Sequence, residues 1–297
     1  MKHLKTLGSY IIKITQSNAH LLLQSTLVNV LPARQVDAHK GTFGSVAIIG
    51  GGMGMIGAVL LSARAALLSG TGRIYVSYLA SDAPSVDILH PEIMFRKPAD
   101  LTSLSQLDSV VIGPGLGQSQ AAIKLLEFWL SQNVAMLIDA DGLNLLAKHP
   151  RLAAICKNRS AETVITPHAA EAARLLGKSS ENIQQSRTES ALKLARDLHA
   201  TCVLKGANTV VAHDDNYFIN TTGNVGLASG GTGDVLSGII GSFLAQGLSG
   251  LDAAKMGVFV HGAAADALVA KGIGPAGLTA SEVSIEARNI INQLSLN

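Results

Sequence analysis

Aromatic and charged residues are scarce in this sequence. Phe, Trp and Tyr make up 4% of the 297 residues, with Trp129 the single tryptophan, and Asp, Glu, Lys and Arg make up 15%. So few rings argue against a stacking platform for single-stranded nucleic acid. The 23 basic residues nearly balance the 21 acidic ones, for a formal charge of +2, and they form no long basic run. We therefore expect no nucleic-acid partner.

Cysteines and long apolar runs are also lacking. Cys156 and Cys202 are the two cysteines. They are too few for a disulfide scaffold and lack the spacing of a metal site, so we interpret them as cytosolic thiols. No run approaches the ~20 apolar residues of a membrane span, and Lys13, Gln16 and Asn18 interrupt the N-terminal apolar stretches, unlike a signal peptide. We expect a soluble, cytoplasmic protein with no membrane partner.

Apolar residues and glycine, by contrast, are abundant. Apolar side chains make up 47% of the chain, enough to bury a large core and to exclude wholesale disorder. Glycine occurs 30 times without a collagen-like period, which indicates tight turns or close approaches of backbone to a ligand. The length fits one large domain or two small ones. Because no linker, repeat or low-complexity tract divides the chain, we interpret residues 1–297 as one domain, on which a weakly patterned extension, residues 1–38, packs.

From Gly41 onward, short β-rich runs alternate with helix-length amphipathic runs. Near-continuous apolar strands separated by helices predict an α/β fold with a buried, mostly parallel sheet and helices on both faces. A polar turn between two further strands predicts an antiparallel hairpin at one sheet edge, and residues 178–187 are predicted to form a surface loop. The predicted strands are Ser45–Ile49, Arg73–Leu79, Val110–Gly113, Val134–Asp139, Thr163–Thr166 and Thr201–Lys205, with hairpin strands Thr209–Ala212 and Tyr217–Asn220. The predicted helices are Ile56–Ser69, Ser119–Gln132, Ala169–Leu176, Gln185–His199 and about 232–246, 251–270 and 279–292.

Three glycines follow the first predicted strand and lead into a predicted helix. Gly52, Gly54 and Gly57 fit the pattern G-x-G-x-x-G, which is typical of a turn that places a pyrophosphate at a helix N-terminus. Asp82 follows the next strand, where a ribose-binding acid would lie in such a site. The pattern also fits a glycine-rich turn that lines another pocket or only packs closely, so both interpretations stay open.

Two more motifs follow strands of the predicted sheet. The turn Gly113–Gly117 places small backbone at the carboxyl end of a parallel strand, where open α/β sheets bind ligands; a lone turn is the alternative. Asp139 and Asp141 end another apolar strand. Their carboxylates could touch a substrate or a hydrated Mg²⁺. Alternatively, Asp141 caps the next helix while Asp139 bonds neighbouring loops.

His168 and Lys205 are candidate binding side chains at two further strand ends. His168 follows Pro167 near a helix start, where an imidazole is either a solvated helix-terminal side chain or a substrate contact or acid/base group. Lys205 could meet a phosphate as a point charge. Gly206 and Asn208 after it would allow main-chain contact with an adenine ring.

A glycine-rich loop that runs into a late apolar helix is the strongest motif. Successive amides of Gly231, Thr232 and Gly233 would converge on an anion, and the helix dipole would add positive potential. Asp234 falls in the first helical turn beside that anion. A carboxylate there is electrostatically unfavourable unless it has a role, such as accepting a hydroxyl proton during phosphoryl transfer. Helix capping by Asp234 is the alternative, but it leaves the closely spaced glycines unexplained.

The four residues Gly231–Asp234 resemble the GxGD signature of the ribokinase-like superfamily. Seven motifs in order, over roughly residues 30–292, resemble the bacterial ADP-dependent NAD(P)H-hydrate dehydratase family. This resemblance implies a ribokinase-like three-layer αβα sandwich with a mostly parallel central sheet and a C-terminal antiparallel edge hairpin. The motifs are His39–Gly44, Gly50–Ala58, Gly113–Gly117, Asp139–Asn144, Thr166–Glu171, Lys205–Thr209 and Gly230–Asp234.

The activity that the resemblance implies is repair of damaged nicotinamide cofactors. ADP, or ATP in its place, phosphorylates the hydroxyl of (6S)-hydrated NADH or NADPH, and loss of phosphate regenerates NAD(P)H, with AMP as by-product of ADP. Mg²⁺ on the nucleotide, a homotetramer and an NAD(P)H-hydrate epimerase as functional partner are implied as well. The epimerase domain of such proteins is often N-terminal and has no room before His39, so we expect a separate epimerase chain or a truncated sequence.

The resemblance also assigns roles to residues. Asp234 is similar to the family's catalytic base and also contacts the substrate. The hydrated cofactor would lie on Ala58, Gly113, Gly115, Gly117 and His168. The nucleotide and its phosphates would be held by Lys205, Gly206, Ala207, Asn208, Thr209, Gly231, Thr232 and Gly233. No side chain is assigned to a metal.

Three other functions fit parts of the sequence. A ribokinase-like kinase for a vitamin-precursor alcohol shares the GxGD helix but releases a stable phosphorylated product. A Rossmann dehydrogenase built on Gly52–Gly57 would need oxidised cofactor and would ignore ADP. A non-catalytic nucleotide-binding regulator would have no use for Asp234.

Overall fold

The central predicted strands are buried along nearly their whole length, because helices cover both faces of the sheet. The computed structural model describes residues 19–28, 30–31, 34–104 and 106–295. The strands within those residues are β1 Ala19–Leu21, β2 Ser45–Gly50, β3 Arg73–Tyr78, β4 Met94–Phe95, β5 Ser109–Ile112, β6 Ala135–Ile138, β7 Thr163–Ile165, β8 Thr201–Leu204, β9 Thr209–His213 and β10 Asn216–Asn220.

These strands form one sheet in the order β1-β10-β9-β8-β7-β6-β5-β2-β3-β4. From β8 to β4 all neighbours are parallel, whereas β9 is antiparallel to both β8 and β10. The predicted mostly parallel sheet and its antiparallel hairpin are therefore confirmed. The hairpin lies one strand in from the edge, because β1 pairs in parallel with β10. A three-residue strand in weakly patterned sequence offers no periodicity from which to predict it.

The helices divide between the two faces of the sheet. They are α1 Ile56–Leu68, α2 Pro98–Leu101, α3 Gln120–Leu130, α4 Asp141–Lys148, α5 Pro150–Lys157, α6 Ala169–Leu176, α7 Ser180–Gln185, α8 Arg187–Leu198, α9 Thr232–Ala245, α10 Gly250–Ala270 and α11 Ala280–Ser295. Buried side chains of α1, α9, α10 and α11 pack on one face, and those of α3 to α8 pack on the other. The three-layer αβα sandwich is thus confirmed.

Short helices are where the structure departs from the predicted elements. The segment 178–187, predicted to be a loop, contains α7, whose first turn is capped by the Ser179 hydroxyl accepting from the Asn182 amide. Helices α4 and α5 were not among the predicted helices, although the capping alternative for Asp141 implied a helix after it. Each has only eight residues, and extended backbone at His149, before a proline, separates them. Residues 1–18 of the predicted N-terminal extension lie outside the described residues.

Helix α10 has the length and mean hydropathy, 1.2, of a membrane span, although the sequence predicted no run of that kind. Two thirds of its apolar window, 67%, is buried inside the fold, against α9 and α11. Core packing therefore accounts for its apolar side chains, because a helix buried between the sheet and neighbouring helices is apolar on most sides.

The carboxyl ends of the parallel strands meet at one edge of the sheet. In the register of the sheet, Ile112 on β5 lies beside Ile138 on β6, and Ile138 lies beside Ile165 on β7. The residues that follow these strands are therefore neighbours. Helices α1 and α9 both begin at this edge, and a side chain on Gly238 of α9 would strike the Ser62 carbonyl of α1, at 2.0 Å from its oxygen. This edge is where open α/β sheets bind ligands.

Candidate active site

The first turn of α9 presents backbone amides to the carboxyl edge of the sheet. Gly231 precedes the helix with a φ of 88°, a left-handed conformation that favours glycine. The Thr232 hydroxyl folds back onto the carbonyls of Leu227 and Ser229, at 2.7 and 3.0 Å, and so fixes the loop before the helix. Because first-turn amides have no partner within their own helix, those of Thr232, Gly233 and Asp234 are available to an anion.

Asp234 stands in this first turn with an unusual affinity for protons. Burial, assisted by the negative charge of Asp139, raises the pKa of the Asp234 carboxyl to about 7, although Lys205 opposes the shift. A carboxylate with a pKa near the working pH is suited to take a proton from a substrate hydroxyl. Gly231 and not Asp234 is the N-cap of α9, and the helix has no side-chain cap hydrogen bond, so capping does not account for Asp234 and a chemical role is favoured.

Lys205 lies between Asp234 and the end of β6. Its ammonium Nζ donates to Asp139 Oδ1 at 2.8 Å, and a Cβ built on Gly233 would stand 3.5 Å from Nζ. Burial lowers the pKa of Lys205, but the Asp139 and Glu171 carboxylates raise it by more than burial lowers it. The net pKa is therefore raised, and the ammonium stays charged. A permanent positive charge therefore faces the first turn of α9.

His168 caps α6 with both ring nitrogens engaged. Its Nδ1 accepts from the amides of Ala170 and Glu171, at 3.1 and 3.4 Å, and its Nε2 lies 3.2 Å from Glu171 Oε1. Burial and the nearby Lys205 ammonium lower the pKa of His168. The predicted imidazole is therefore at the site edge and half-exposed, but its nitrogens are already occupied.

A cavity of about 610 Å³ lies beside α9 and collects most of the predicted nucleotide-binding residues. The loop Lys205–Thr209 forms one wall, and Thr232 and Gly233 form another. Such a volume suits a nucleotide-sized ligand. Apolar side chains that could face a base are Val225, Leu227, Leu236 and Val258.

Two side chains of α10, His261 and Asp266, bond to residues that line this cavity. His261 on α10 bonds the Thr232 carbonyl at 2.9 Å, and burial lowers its pKa to about 4, so it is neutral near pH 7. Asp266, also on α10, accepts from the Gly223 amide at 2.7 Å and from the Asn224 side chain at 2.9 Å. The shape of the cavity is thus fixed by α10.

The two predicted glycine turns on the substrate side pack against each other. The Gly51 amide donates to the Pro114 carbonyl at 3.0 Å, and the Gly52 amide donates to the Gly115 carbonyl at 2.6 Å. A Cβ on Gly115 would stand 3.4 Å from the Ala58 Cβ. Of the three glycines in the first motif, Gly52 is therefore closely packed, whereas Gly54 and Gly57 have nothing within 4 Å of a built Cβ.

The predicted residues thus form two adjoining groups at one edge. The Asp141 carboxylate, in the first turn of α4 and not at its cap, holds the substrate-side turn by accepting from the Gly117 amide at 2.8 Å. A Cβ on Gly113 would stand 1.8 Å from the Asp139 carbonyl oxygen, so this turn also contacts the charged cluster. Ala58, Gly113, Gly115, Gly117, His168, Gly231 and Asp234 do not line the 610 Å³ cavity, whereas Lys205, Gly206, Ala207, Asn208, Thr209, Thr232 and Gly233 do.

Sequence reasoning missed several residues that complete the site. Glu171 is 5% exposed and accepts from the His168 amide at 2.8 Å. Ser237 donates to Asp139 Oδ2 at 2.7 Å. Ser237 and His261 could have been suspected as polar positions inside apolar helical runs, but which partner each finds depends on the packing of separate helices.

No resident metal site is found among the described residues. No group of three or more His, Cys, Asp or Glu side chains there could hold an ion, and Asp139 is already occupied by Lys205 and Ser237. The carboxylates of this edge do not by themselves fit a protein-held Mg²⁺.

Comparison with known proteins finds relatives over most of the chain. A family model described as NAD(P)H-hydrate dehydratase matches residues 46–287. The ADP-dependent (S)-NAD(P)H-hydrate dehydratase of Neisseria meningitidis serogroup B is 41% identical over 283 residues, which cover 92% of this chain and 94% of that protein. The bifunctional NAD(P)H-hydrate repair enzyme Nnr of Escherichia coli K12 is 43% identical over 266 residues. That match covers 88% of this chain but 50% of the relative, so the chain spans about half of its length.

Solved structures with the same fold include an enzyme co-crystallised with a nucleotide. The ADP/ATP-dependent NAD(P)H-hydrate dehydratase of Bacillus subtilis, co-crystallised with ATP/Mg²⁺, superposes with a TM-score of 0.81 at 26% identity, covering 94% of this chain and 100% of that one. A hydroxyethylthiazole kinase of Pyrococcus horikoshii superposes with a TM-score of 0.58 at 17% identity, covering 86% and 90%. The second likeness concerns the fold alone.

Proposed function

The chain belongs to the NAD(P)H-hydrate dehydratase family, and from that premise we propose that it dehydrates (6S)-hydrated NADH or NADPH with consumption of ADP. The products are NADH or NADPH, AMP and inorganic phosphate. One observation of the structure carries the proposal: the Asp234 carboxyl, with a pKa of about 7, stands in the first turn of α9 beside Gly233, whose built Cβ lies 3.5 Å from the Lys205 ammonium.

The reaction has two steps, because hydroxide is a poor leaving group and a phosphate ester is a good one. In the first step the ring hydroxyl loses its proton, its oxygen bonds the β-phosphorus of ADP, and the bond from that phosphorus to the bridging oxygen breaks and leaves AMP. In the second step the carbon–oxygen bond to phosphate breaks, the neighbouring ring carbon loses a proton, and the ring double bond of the dihydronicotinamide returns.

Asp234 would accept the hydroxyl proton in the first step. Its raised pKa means that the carboxylate is available at and above neutral pH and protonated below it. The expected profile of kcat/KM against pH therefore has an acid limb near pH 7, below which the rate falls about tenfold per pH unit.

Lys205 and the first turn of α9 would bind the transferring phosphoryl group. Phosphoryl transfer needs neutralised charge and aligned groups more than covalent assistance. The Lys205 ammonium and the amides of Thr232 and Gly233 supply positive potential from two sides. The adjoining cavity, with its apolar patch and the loop Lys205–Thr209, would take the nucleoside.

The hydrated dinucleotide would lie over the glycine turns that meet beside Ala58. The turn Gly113–Gly117 contacts both Ala58 and the backbone of Asp139, so a ligand on it reaches toward the charged cluster. The exposed ring of His168 stands at the same edge. In this arrangement the dinucleotide would be bound as a substrate, against the main chain of the glycine turns.

Mg²⁺, ATP and the partners of the chain belong to the same proposal. Because no cluster among the described residues is suited to a resident ion, Mg²⁺ would arrive on the nucleotide phosphates. The relative from Bacillus subtilis, described as ADP/ATP-dependent, supports ATP as an alternative donor. We further propose a cytoplasmic homotetramer that works with an NAD(P)H-hydrate epimerase. Sedimentation tests the homotetramer, and cell fractionation tests the cytoplasmic location. The partnership is tested by adding epimerase, which should accelerate the turnover of mixed epimers.

The activity is tested with purified protein, (6S)-hydrated NADH, ADP and Mg²⁺. The expected result is a rise in absorbance at 340 nm matched by equal amounts of AMP and phosphate. We expect Asp234→Asn to lower kcat by 10²- to 10⁴-fold, the usual contribution of a general base, while the affinity for ADP persists. A stable phosphorylated product would instead indicate a small-molecule kinase, and an Asn variant with the wild-type rate would show that Asp234 is not the base.

The same variant carries its own folding control. Between about pH 4 and pH 7 the folded chain retains a proton at Asp234 that the unfolded chain has lost, so this group makes stability fall as pH rises through that window. Above pH 7 the carboxylate is a destabilising charge, because it is partly buried and lies near Asp139. Asp234→Asn should therefore raise the melting temperature at pH 8 while activity is lost, which separates a chemical defect from unfolding.

A further inference from the structure

Asp139 connects the two elements that carry the proposed chemistry. It is 1% exposed and lies directly after β6. Its Oδ1 accepts from the Lys205 ammonium at 2.8 Å, and its Oδ2 accepts from the Ser237 hydroxyl at 2.7 Å. Ser237 lies three residues after Asp234, so both are on the same side of α9.

We propose that Asp139 is a positioning residue of this reaction: it ties the Lys205 ammonium to α9 and keeps that ammonium from pairing with the Asp234 carboxylate. The proposal rests on the proposed function for its consequence in catalysis. Lys205 Nζ already stands beside Gly233, one residue from Asp234. Without a competing anion, the ammonium would pair with the base.

The charges around this cluster explain why one carboxylate has such a role. The groups that act on one another here are Asp139 after β6, His168, Glu171 and Arg174 on α6, Lys205 after β8, Asp234 on α9 and His261 on α10. Asp139, Glu171 and Asp234 thus share one nearby ammonium. Because Asp139 holds that ammonium with a short charge-assisted bond, the ion pair of Lys205 in the described part of the chain is with Asp139 and not with Asp234.

Loss of the Asp139 charge would lower the pKa of Asp234 in two ways. The Asp139 charge favours the protonated form of Asp234, whereas Lys205 favours the ionised form. Neutralising Asp139 removes the first effect and frees Lys205 to strengthen the second. Both changes lower the pKa of Asp234, so the acid limb of the rate profile should move to lower pH.

The test is the profile of kcat/KM from pH 5 to pH 9 for three variants. In Asp139→Asn the acid limb is expected to fall by about one pH unit, while the rate at pH 8 drops at least tenfold because the ammonium is displaced. Asp139→Glu keeps the charge, so its limb should stay near that of the wild type even if its rate is lower. Ser237→Ala keeps the Asp139 charge but removes its bond to α9, so its rate should fall while its limb stays near that of the wild type.

A purely structural Asp139 gives a different pattern. It would lower the melting temperature and the rate of Asp139→Asn at every pH without moving the acid limb, and that result would overturn the proposal. Should Asp139→Asn be insoluble, Asp139→Ser, which is neutral and smaller, takes its place with the same expectation.

A readout without turnover keeps this inference separate from the proposed function. In carboxyl ¹³C NMR spectra, the Asp234 signal is assigned as the one that is missing from Asp234→Asn. The pH midpoint of that signal is then compared between the wild type and Asp139→Asn. A downward shift supports the positioning role even if no dehydration is detected. An unshifted midpoint contradicts it even if the wild type turns over.

Discussion

Glycines at the same edge of the sheet serve two opposite purposes. On the substrate side, a Cβ on Gly50 would stand 1.9 Å from the Pro114 carbonyl oxygen, and one on Gly113 would stand 1.8 Å from that of Asp139. On the phosphate side, Gly230 has nothing within 4 Å of such a Cβ, and Gly233 has Lys205 Nζ at 3.5 Å. The first pair is packed against backbone, whereas the second borders open space.

The comparison shows what the protein leaves for its ligands. Where backbone already fills the place of a side chain, glycine is required for the fold to close. At Gly233, in the first turn of α9, a Cβ would meet the end of the Lys205 side chain and no backbone, so packing does not explain the glycine, and room for an anion at the helix N-terminus does. The two sides should therefore respond differently to the addition of a single methyl group.

The largest effect is expected for Gly113→Ala on the packed side. Its φ of 127° is unfavourable for any side chain, and the added Cβ would overlap the Asp139 carbonyl oxygen. We expect a loss of more than about 3 kcal/mol in the free energy of unfolding, measured by urea denaturation. Gly230→Ala, with a freely accommodated Cβ, is the control. Equal stabilities of the two variants would contradict the distinction drawn here.

The architecture could be predicted because the central strands are short apolar runs and several of them, such as β2 and β5, are followed by a longer helical run. Runs such as Thr201–Lys205 have the β-branched and aliphatic composition of a strand buried on both faces, and they ended within one residue of the observed strand. The three-residue β1 and the eight-residue α4 and α5 were missed, since so few residues give no period.

The site was predictable to the extent that its residues lie at strand ends and in the loop before α9. Parallel topology brings all such ends to one edge, so Lys205, Asp234 and the Gly113–Gly117 turn could be grouped without coordinates. What the sequence could not supply is the pairing of Asp139 with Lys205 and Ser237, 66 and 98 residues away. Nor could it distinguish a glycine that is packed from one that is open.

A smaller effect is expected for Gly233→Ala on the open side. The residue has a helical backbone, and a Cβ there would make ordinary contact with the flexible end of Lys205, so stability should hold or rise by up to about 1 kcal/mol. The methyl group would occupy the space before the helix amides, where the phosphoryl group is proposed to bind. We expect KM for ADP to rise at least tenfold with the melting temperature unchanged or higher.

Gly230→Ala serves again as the comparison for that measurement. It lies in the same loop and also has open space around its Cβ position, but it does not line the cavity. Its KM for ADP should change less than threefold. Similar increases in both variants would mean that the loop as a whole, and not the space beside Lys205, governs nucleotide affinity.

The smallest effect is expected for Gly57→Ala, which sharpens the comparison because Gly57 is an open glycine on the substrate side. It is the second residue of α1, is exposed, and has nothing within 4 Å of a built Cβ. Alanine should stabilise the helix by about 0.5–1 kcal/mol. If the hydrated dinucleotide lies over the start of α1 beside Ala58, the methyl group will raise KM for that substrate a few-fold and leave KM for ADP unchanged. A KM that does not move would place the dinucleotide away from α1 and limit its binding surface to the Gly113–Gly117 turn.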